Sequence, residues 1–296
     1  MSKKFVTFLA SAGLIFVTMI WGFAFVVVKN SLDAVPPIWM MAFRFTIATV
    51  VLSLVFIPRF KKLNRQTLKH GFLIGIWLFL AYAFQTIGCN YTTAGKNAFL
   101  TTVYVVLVPF INWALTKNKP DVYSIVAALL SFTGIGLLSL QGDLSVNIGD
   151  VLTLICGLCY AMQIIYIARY SQGDDPILLT ILQVALTAVL SWITAPIIDG
   201  AFPAAALKDT TIIGSMLYLG LGSTMICFLL QTVCQKYLEP SLASLLMSFE
   251  SVFGMLSSVI FLHEILSGRN IIGCALMFIA VVLGETKLSF LKKKRS

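Results

Sequence analysis

The sequence predicts an all-α integral membrane protein with ten transmembrane helices, and its composition and length are the basis for this. Of the 296 residues, 59% are hydrophobic and only 11% are charged, and the mean hydropathy is +0.94. An ordinary soluble domain is about 45–50% apolar and about 25% charged. A bilayer core about 30 Å thick needs roughly 20 apolar residues per helix, so a chain of this length with short loops has room for about ten spans.

The same composition excludes soluble enzymes, nucleic-acid binders and secreted disulfide scaffolds. The six cysteines all fall in or beside apolar runs, which is typical of small packed side chains. Cys156 and Cys159 form a C-x-x-C pair, but no second Cys or His pair accompanies it to complete a zinc site. We therefore expect no metal and no cofactor.

Pro, Gly and charged residues divide the chain into ten apolar segments. The first segment follows Lys3 and Lys4 and continues to Val28, too long for the 7–15 apolar residues of a signal peptide, so we interpret it as a retained membrane helix. Loops are short except for 58–70 and 199–210. The predicted helices cover residues 8–29, 36–57, 71–91, 95–116, 121–140, 149–169, 176–198, 211–235, 240–262 and 269–287.

The distribution of basic residues predicts the orientation of these helices. Of the 21 Lys and Arg residues, 16 fall on the face that carries both termini and four fall on the opposite face, with Arg44 inside a span. Cytoplasmic loops are enriched in Lys and Arg, so both termini are predicted to be cytoplasmic, in a multi-pass protein of the plasma (inner) membrane. The net charge of +9 is therefore a topology signal.

An internal repeat relates the two halves of the chain. Residues 85–100 and 231–246 each begin with Gln-Thr and carry Tyr six residues after the Gln, at an offset of 146. Five helices per unit is an odd number, so the second unit would enter the membrane from the opposite side and give inverted repeats, an architecture common among secondary transporters. The predicted units are residues 1–145 and 146–296.

Several stretches resemble one known family. They are Trp21-Gly22 with Phe25 and Lys29, Ala42–Phe45, NAFLTTVYVVLVPF at 97–110, the region of Gln183, and FESVF with LHE within 249–264. In this order and spacing, the chain resembles EamA-type members of the drug/metabolite transporter superfamily over nearly its whole length. It departs from the family pattern at Ser251, where Pro is usual, and at His263, where Gly is usual.

The resemblance implies ten helices, cytoplasmic termini and a central cavity lined mainly by helices 1, 3, 4, 6, 8 and 9. It also implies transport of a small metabolite, often export of amino acids or related compounds, without naming the substrate.

Three charged residues are candidates for coupling or gating. A charge near the bilayer centre costs about 2.5–3.5 kcal/mol on insertion scales, so each needs an explanation. Glu250 lies roughly 16 Å into helix 9 and could bind a proton or a cationic group, or form a helix–helix bond. Arg44, on a helix that the resemblance places outside the cavity, is interpreted as an ion-pair or gate residue rather than a substrate ligand. Lys96 would face the outer cavity mouth.

Uncharged polar and aromatic residues form the predicted binding site. Tyr82 and Gln85 share one helix face, as do Tyr160 and Gln163, and polar atoms that faced lipid would lack partners. The predicted substrate-binding residues are Trp21, Tyr82, Gln85, Tyr104, Tyr160, Gln163 and Gln231. Interhelical packing is the alternative for about half of these polar residues.

The sequence thus predicts a secondary active transporter, an exporter of small organic metabolites such as amino acids or related amines, which works by alternating access and is proton-coupled through Glu250. An uncoupled facilitator or channel is the first alternative, and an integral-membrane enzyme ranks far below it because no nucleophile–base–metal set is visible. The expected partners are a small molecule, the lipid bilayer and protons, with no nucleic acid. Monomer and homodimer remain open.

Overall fold

The computed structural model describes residues 2–92, 94–139, 147–262 and 268–286. Within these ranges the ordered elements are helices, and no strand occurs. Eight helical spans are long and apolar enough to cross a membrane, and three of them, Asn97–Thr116, Thr210–Gln235 and Pro240–Phe261, consist of consecutive helical segments. Two shorter apolar helices, Val122–Leu137 and Ile271–Gly284, accompany them. The all-helical fold predicted from composition is confirmed.

The described helices follow one another with few intervening residues. In the first part of the chain they are α1 (Lys3–Ser31), α2 (Pro37–Val55), α3 (Arg65–Tyr91), α4 (Ala94–Thr101), α5 (Tyr104–Thr116) and α6 (Val122–Ser139), with a 3₁₀ turn at Ile57–Lys62. In the second part they are α7 (Ile148–Tyr170), α8 (Pro176–Ile198), α9 (Thr210–Leu217), α10 (Cys227–Gln235), α11 (Pro240–Met247), α12 (Glu250–Leu262) and α13 (Gly268–Thr286). A 3₁₀ turn covers Ala206–Lys208, and a π-helical segment, Tyr218–Ile226, joins α9 to α10.

Side-chain caps define several helix starts. Asn147 and Asp150 form a capping box at the start of α7, in which each side chain accepts a hydrogen bond from the other residue's backbone N–H. Asp175 caps α8 through the backbone N–H of Ile177, and Pro176 supplies the fixed φ that suits a first helical residue. These loops therefore end where the sequence places a capping group.

Three helices that the sequence predicts as continuous are interrupted. The predicted helix 95–116 is divided between α4 and α5, and the predicted helix 240–262 is divided between α11 and α12. The predicted helix 211–235 contains the π-helical segment, where the Thr224 hydroxyl bonds to the carbonyl of Leu219, five residues earlier. Such segments are often found at functional sites.

Two large apolar cores, accompanied by two smaller clusters, form the interior of the described residues. The first is built largely from α2, α3 and α8, and the second from α5, α7, α11 and α13. The partly buried rings of Trp21 and Tyr160 pack against both cores. Helix α1 also approaches α12 closely, because a Cβ placed on Gly22 would lie 2.6 Å from the backbone nitrogen of Gly254.

Some sequence predictions fall outside the described residues. These are the boundary between the two units at 145 and 146, His263 and Glu264, and the basic tail from Lys287. The backbone of Lys96 lies in α4, but its side chain is not among the described ones.

Candidate functional site

A cavity lies between the two cores, at the centre of the helices. Its walls come from α1, α2, α3, α4, α5, α7, the π-helical segment, α10, α11 and α12. The free volume is about 50 Å³, enough for roughly four water molecules at 10–15 Å³ of probe volume each. The cavity is therefore narrow in this conformation.

Most of the predicted site residues line this cavity. The lining includes Trp21, Arg44, Tyr82, Gln85, Tyr104, Tyr160, Gln231 and Glu250. Gln163 does not line it and is fully buried behind Gln231, whose amide nitrogen donates to Gln163 Oε1 at 3.2 Å. The spacing of three positions from Tyr160 to Gln163 predicts both side chains on one surface, but a residue of the neighbouring helix α10, Gln231, covers Gln163.

The aromatic wall is formed by rings from four helices. Tyr160 meets Tyr82 edge to face, with ring centroids 5.8 Å apart, and lies 6.3 Å from the ring of Tyr104. The Trp21 ring lies 5.5 Å from Phe228, and its indole N–H donates to the carbonyl of Ser223 at 2.9 Å. Edge-to-face rings at these distances fix one another's orientation, so this wall is shaped by packing.

Polar side chains on the α3 side of the cavity form a connected set. The Tyr160 hydroxyl donates to Gln85 Oε1 at 3.3 Å, and Gln85 Nε2 donates to the Thr101 hydroxyl at 3.1 Å. The Asn97 side chain, also in the lining, donates to the backbone carbonyl of Gln85 at 3.1 Å and to the Thr153 hydroxyl at 2.9 Å. These bonds hold Gln85 with both ends of its amide occupied.

Arg44 is a wall residue, which corrects the expectation that its helix lies outside the cavity. Its Nε donates to the Thr224 hydroxyl at 2.8 Å, and its Nη2 donates to the Ser223 hydroxyl at 2.9 Å. The guanidinium carbon lies 4.9 Å from the centroid of the Tyr82 ring, a cation–π distance. Helix α2 packs against the π-helical segment, and this contact brings the charge inward.

Glu250 lies opposite Tyr104, whose hydroxyl donates to Glu250 Oε1 at 3.0 Å. Tyr104 is the first residue of α5 and Glu250 is the first residue of α12, so the bond joins two of the helix interruptions. Both side chains are buried, with at most 5% of either residue exposed. One carboxylate oxygen of Glu250, in the second part of the chain, thus accepts a hydrogen bond from a residue of the first part.

A second, larger cavity opens at the end of the bundle that carries the predicted cytoplasmic loops. Its volume is about 1250 Å³, and Lys119, Arg169 and Lys236 lie in its wall. The second apolar core contributes residues to both cavities, including Met247 to the central one and Leu245 to the larger one. This core therefore borders both cavities.

At the opposite end of the central cavity, Lys29 ties α1 to α3. Its ammonium donates to the backbone carbonyls of Cys89 at 2.8 Å and Thr92 at 3.3 Å. Both carbonyls belong to the end of α3, where a cation also interacts favourably with the helix dipole.

The described part of the chain includes all six cysteines. It contains no group of three or more His, Cys, Asp or Glu side chains placed to hold a metal ion. All six cysteines are free thiols, and Cys156 is buried against Thr101.

Several residues of the lining were not among the predicted ligands. They include Phe25, Val28, Cys89, Ser223 and Met247. Phe25 follows Trp21 by four residues and so shares its helix face, which is a signal the sequence offers. Ser223 enters the wall through the π-helical segment, and an α-helical pattern cannot predict that position.

Comparison with known proteins agrees with this architecture. The sequence model of the EamA-like transporter family matches residues 9–140 and again residues 147–284. The chain is therefore a multi-pass membrane transporter. It belongs to the EamA-like transporter family.

Individual relatives extend over almost the entire chain. An uncharacterized transporter of Archaeoglobus fulgidus is 37% identical over 274 residues, covering 93% of this chain and 85% of the relative. The uncharacterized transporter YoaV of Bacillus subtilis is 24% identical and covers 94% of this chain and 97% of its own length. A crystal structure at 19% identity superposes with a TM-score of 0.75 over 93% of this chain and 96% of that one, which shows a shared fold.

Proposed function

We propose that this transporter is a secondary active carrier that exports small organic metabolites such as amino acids or related amines. It works by alternating access between two inverted five-helix halves, residues 1–145 and 146–296. The separate family matches at 9–140 and 147–284 support two units of this size. The direction of transport and the substrate type rest on the family resemblance.

The observation that carries the proposal is the position of the helix interruptions at the cavity. Helix α4 ends at Thr101 and α5 begins at Tyr104, while α11 ends at Met247 and α12 begins at Glu250. Both pairs of positions are 146 residues apart, the offset of the sequence repeat. Discontinuous helices at the interface of two repeats are a common way for transporters to build a central site.

The two cavities support a cycle with access from the basic face. At the outer side of the central cavity Lys29 bridges α1 and α3, and at the inner side the second apolar core lies between the central cavity and the larger one in this proposal. The larger cavity, at about 1250 Å³, exceeds the 300–1000 Å³ of typical small-molecule pockets. A metabolite entering there would reach the central residues only after that core separates, which is the step alternating access requires.

Proton coupling is assigned to Glu250. It is a buried acidic residue in the central wall and is bonded to a residue of the other half, so its charge state and the contact between the halves are linked. The bias of Lys and Arg supports cytoplasmic termini, and we place the protein in the plasma (inner) membrane.

Solute counterflow in proteoliposomes tests this function. Vesicles preloaded with an unlabelled amino acid, amine or nucleobase should accumulate the labelled form transiently, and accumulation should saturate. Tyr82→Ala should abolish or weaken the exchange at equal protein content. Conductance without counterflow would establish a channel instead, and the absence of flux for every solute by folded protein would contradict the carrier.

A further inference from the structure

Arg44 is a buried cation in the wall of the central cavity, and among the described residues no carboxylate pairs with it. Only 3% of the residue is exposed. The described part of the chain contains two ion pairs, and neither includes Arg44. Glu250, the acidic residue of the cavity lining, accepts a hydrogen bond from Tyr104 instead. Buried charges in proteins are normally paired, so a buried guanidinium without a carboxylate calls for an explanation.

One edge of the Arg44 guanidinium is fixed by the protein. Nε and Nη2 share this edge, and they donate to the hydroxyls of Thr224 and Ser223 at 2.8 and 2.9 Å. A guanidinium has donors only, so both hydroxyl oxygens must accept, and the Thr224 hydroxyl sends its own hydrogen to the carbonyl of Leu219 at 2.7 Å. The Tyr82 ring adds a cation–π contact at 4.9 Å. These contacts orient the planar group, but none of them brings a negative charge.

The other edge of the guanidinium is free. It consists of Nη1 and the second hydrogen of Nη2, so three of the five N–H bonds of Arg44 donate to no described residue. Nη1 is not among the enclosed polar atoms that lack a partner, so it borders open space, which at this residue is the central cavity. Two parallel N–H bonds on one edge are the arrangement with which Arg binds both oxygens of a carboxylate.

We propose that Arg44 anchors a carboxylate group of the substrate through Nη1 and Nη2. Ser223 and Thr224 are positioning residues, because they hold the opposite edge of the guanidinium and so set the direction of the free one. A single buried cation balances the one negative charge of a carboxylate, whereas a phosphate dianion would leave an uncompensated charge. This inference rests on the proposed carrier function and narrows its substrates to solutes with a carboxylate, such as amino acids, and away from simple amines.

The test compares amino acids with their primary amides, which keep the side chain and the ammonium group but lack the carboxylate. Alanine, leucine and phenylalanine, each beside its amide, are titrated against the purified protein in detergent, and the apparent Kd is taken from the rise in melting temperature. Losing a charge-assisted bidentate contact should raise the apparent Kd about tenfold or more. In addition, 3-phenylpropionate, which has no ammonium group, should bind more tightly than phenethylamine, which has no carboxylate.

Variants of Arg44 connect this preference to one side chain. Arg44→Gln keeps a donor for the two hydroxyls and should bring the Kd ratio of amide to amino acid close to one. Arg44→Lys keeps the charge without the two-pronged edge and should give an intermediate ratio, which also provides the test if the Gln variant does not fold. Lys119→Gln removes a cation from the wall of the larger cavity and should keep the wild-type ratio.

A variant of Thr224 tests the positioning role. Thr224→Val removes the acceptor of Nε but leaves the charge of Arg44 in place. It should raise the apparent Kd of the amino acid about threefold or more and leave that of the amide unchanged. Equal changes for both compounds would show that Thr224 has only a structural role.

The outcomes separate this inference from the function beneath it. Equal Kd values within every pair, no binding of any probe, or an unchanged ratio in both Arg44 variants overturns the carboxylate anchor. Counterflow of labelled solutes in proteoliposomes tests the carrier independently. Exchange of amines alone keeps the carrier and overturns the anchor, whereas carboxylate binding that depends on Arg44, without counterflow of any solute, keeps the anchor and overturns the carrier.

Discussion

The hydroxyl of Tyr104 donates to the carboxylate of Glu250 at 3.0 Å, and the two residues are 146 positions apart. Each begins a helix immediately after an interruption, so the bond joins equivalent points of the repeat. It also links the contact between the proposed halves to the charge of one carboxyl group.

Glu250→Gln removes the titratable group and keeps its size. We expect exchange driven by a pH difference to fall at least tenfold and the remaining counterflow to lose its pH dependence. Transport into proteoliposomes at equal and unequal pH measures both quantities.

The control for this prediction is Tyr104→Phe, which removes the hydrogen bond but keeps the carboxyl group. The pH dependence should persist in that variant even if the rate changes. An unaltered rate and pH profile in Glu250→Gln would show that Glu250 has only a structural role.

Tyr82 connects Arg44 to the aromatic wall. Its ring lies 4.9 Å from the guanidinium carbon, 5.0 Å from the ring of Phe45 and 5.8 Å from that of Tyr160. Tyr82→Ala should raise the apparent KM for counterflow at least fivefold, because a cavity replaces the ring that shapes the wall, and should also lower stability by about 3–5 kcal/mol, as for other aromatic truncations.

Tyr82→Phe retains the ring and should change the apparent KM less than twofold. Gln163→Ala should also weaken apparent affinity, because it releases the amide of Gln231. If Tyr82→Ala and Gln163→Ala both transport with unaltered affinity, the central cavity is not the binding site.

The close contact between α1 and α12 predicts that adding a methyl group has different effects on stability at two glycines. A Cβ on Gly22 would lie 2.6 Å from backbone atoms of Phe253 and Gly254, whereas a Cβ on Gly254 would lie 3.7 Å from the carbonyl oxygen of Gly22. Gly22→Ala should destabilise the protein by about 1–3 kcal/mol through overpacking. Gly254→Ala should change the stability by less than 0.5 kcal/mol, about the size of an ordinary surface change.

Thermal unfolding of both variants in one detergent checks this difference. Equal melting temperatures for Gly22→Ala and Gly254→Ala would mean that the two helices separate without cost.

Asp199 gives a prediction about pH at the end of α8, outside the span. Its carboxylate accepts the backbone N–H groups of Ile38 at 2.6 Å and Trp39 at 3.0 Å, in the first turn of α2. Burial raises the pKa of Asp199 above its ordinary value of 3.8, and these two bonds lower it only in part. The folded protein therefore binds more protons here than the unfolded chain does.

The stabilisation that Asp199 contributes to the folded protein is therefore greatest below pH 3.8, and it declines as the pH rises through the raised pKa of Asp199. Relative to Asp199→Asn, which keeps an acceptor oxygen, the wild type should lose melting temperature between pH 4 and pH 7. A wild-type advantage that grows with pH would mean that the helix N-terminus stabilises the ionised carboxylate more than burial opposes it.

The apolar segments and their approximate ends could be predicted from the sequence, because each is a run of hydrophobic residues and most have a Ser, Pro, Asn or Asp at the start. The interruption after Thr101 could not be predicted, since Thr102 and Val103 carry no Pro or Gly signal. Ser248 and Phe249 carry no such signal at the second interruption either. At each interruption a hydroxyl donates to the carbonyl three residues earlier, Thr102 to Phe99 and Ser248 to Leu245, both at 2.7 Å.

Part of the candidate site could be predicted from the sequence, because polar side chains in membrane helices avoid lipid. That rule selected Tyr82, Gln85 and Gln231, which line the cavity. It could not separate a wall residue from one buried behind the wall, as Gln163 is. Arg44 lies in the cavity wall because α2 packs against the π-helical segment. The spacing of apolar residues in the sequence does not predict that these two elements pack together.

The hydrogen bonds of Arg44 can form only late in the synthesis of the protein. Its two hydroxyl partners, Ser223 and Thr224, are 179 and 180 residues later in the chain. At roughly 5–20 residues per second, a ribosome adds them about 10–35 s after Arg44. Until then the guanidinium lacks these partners, at an insertion cost of about 2.5–3.5 kcal/mol. The first five predicted helices made alone would retain that cost, so the hydrogen bonds of Arg44 are completed only after the π-helical segment has been made.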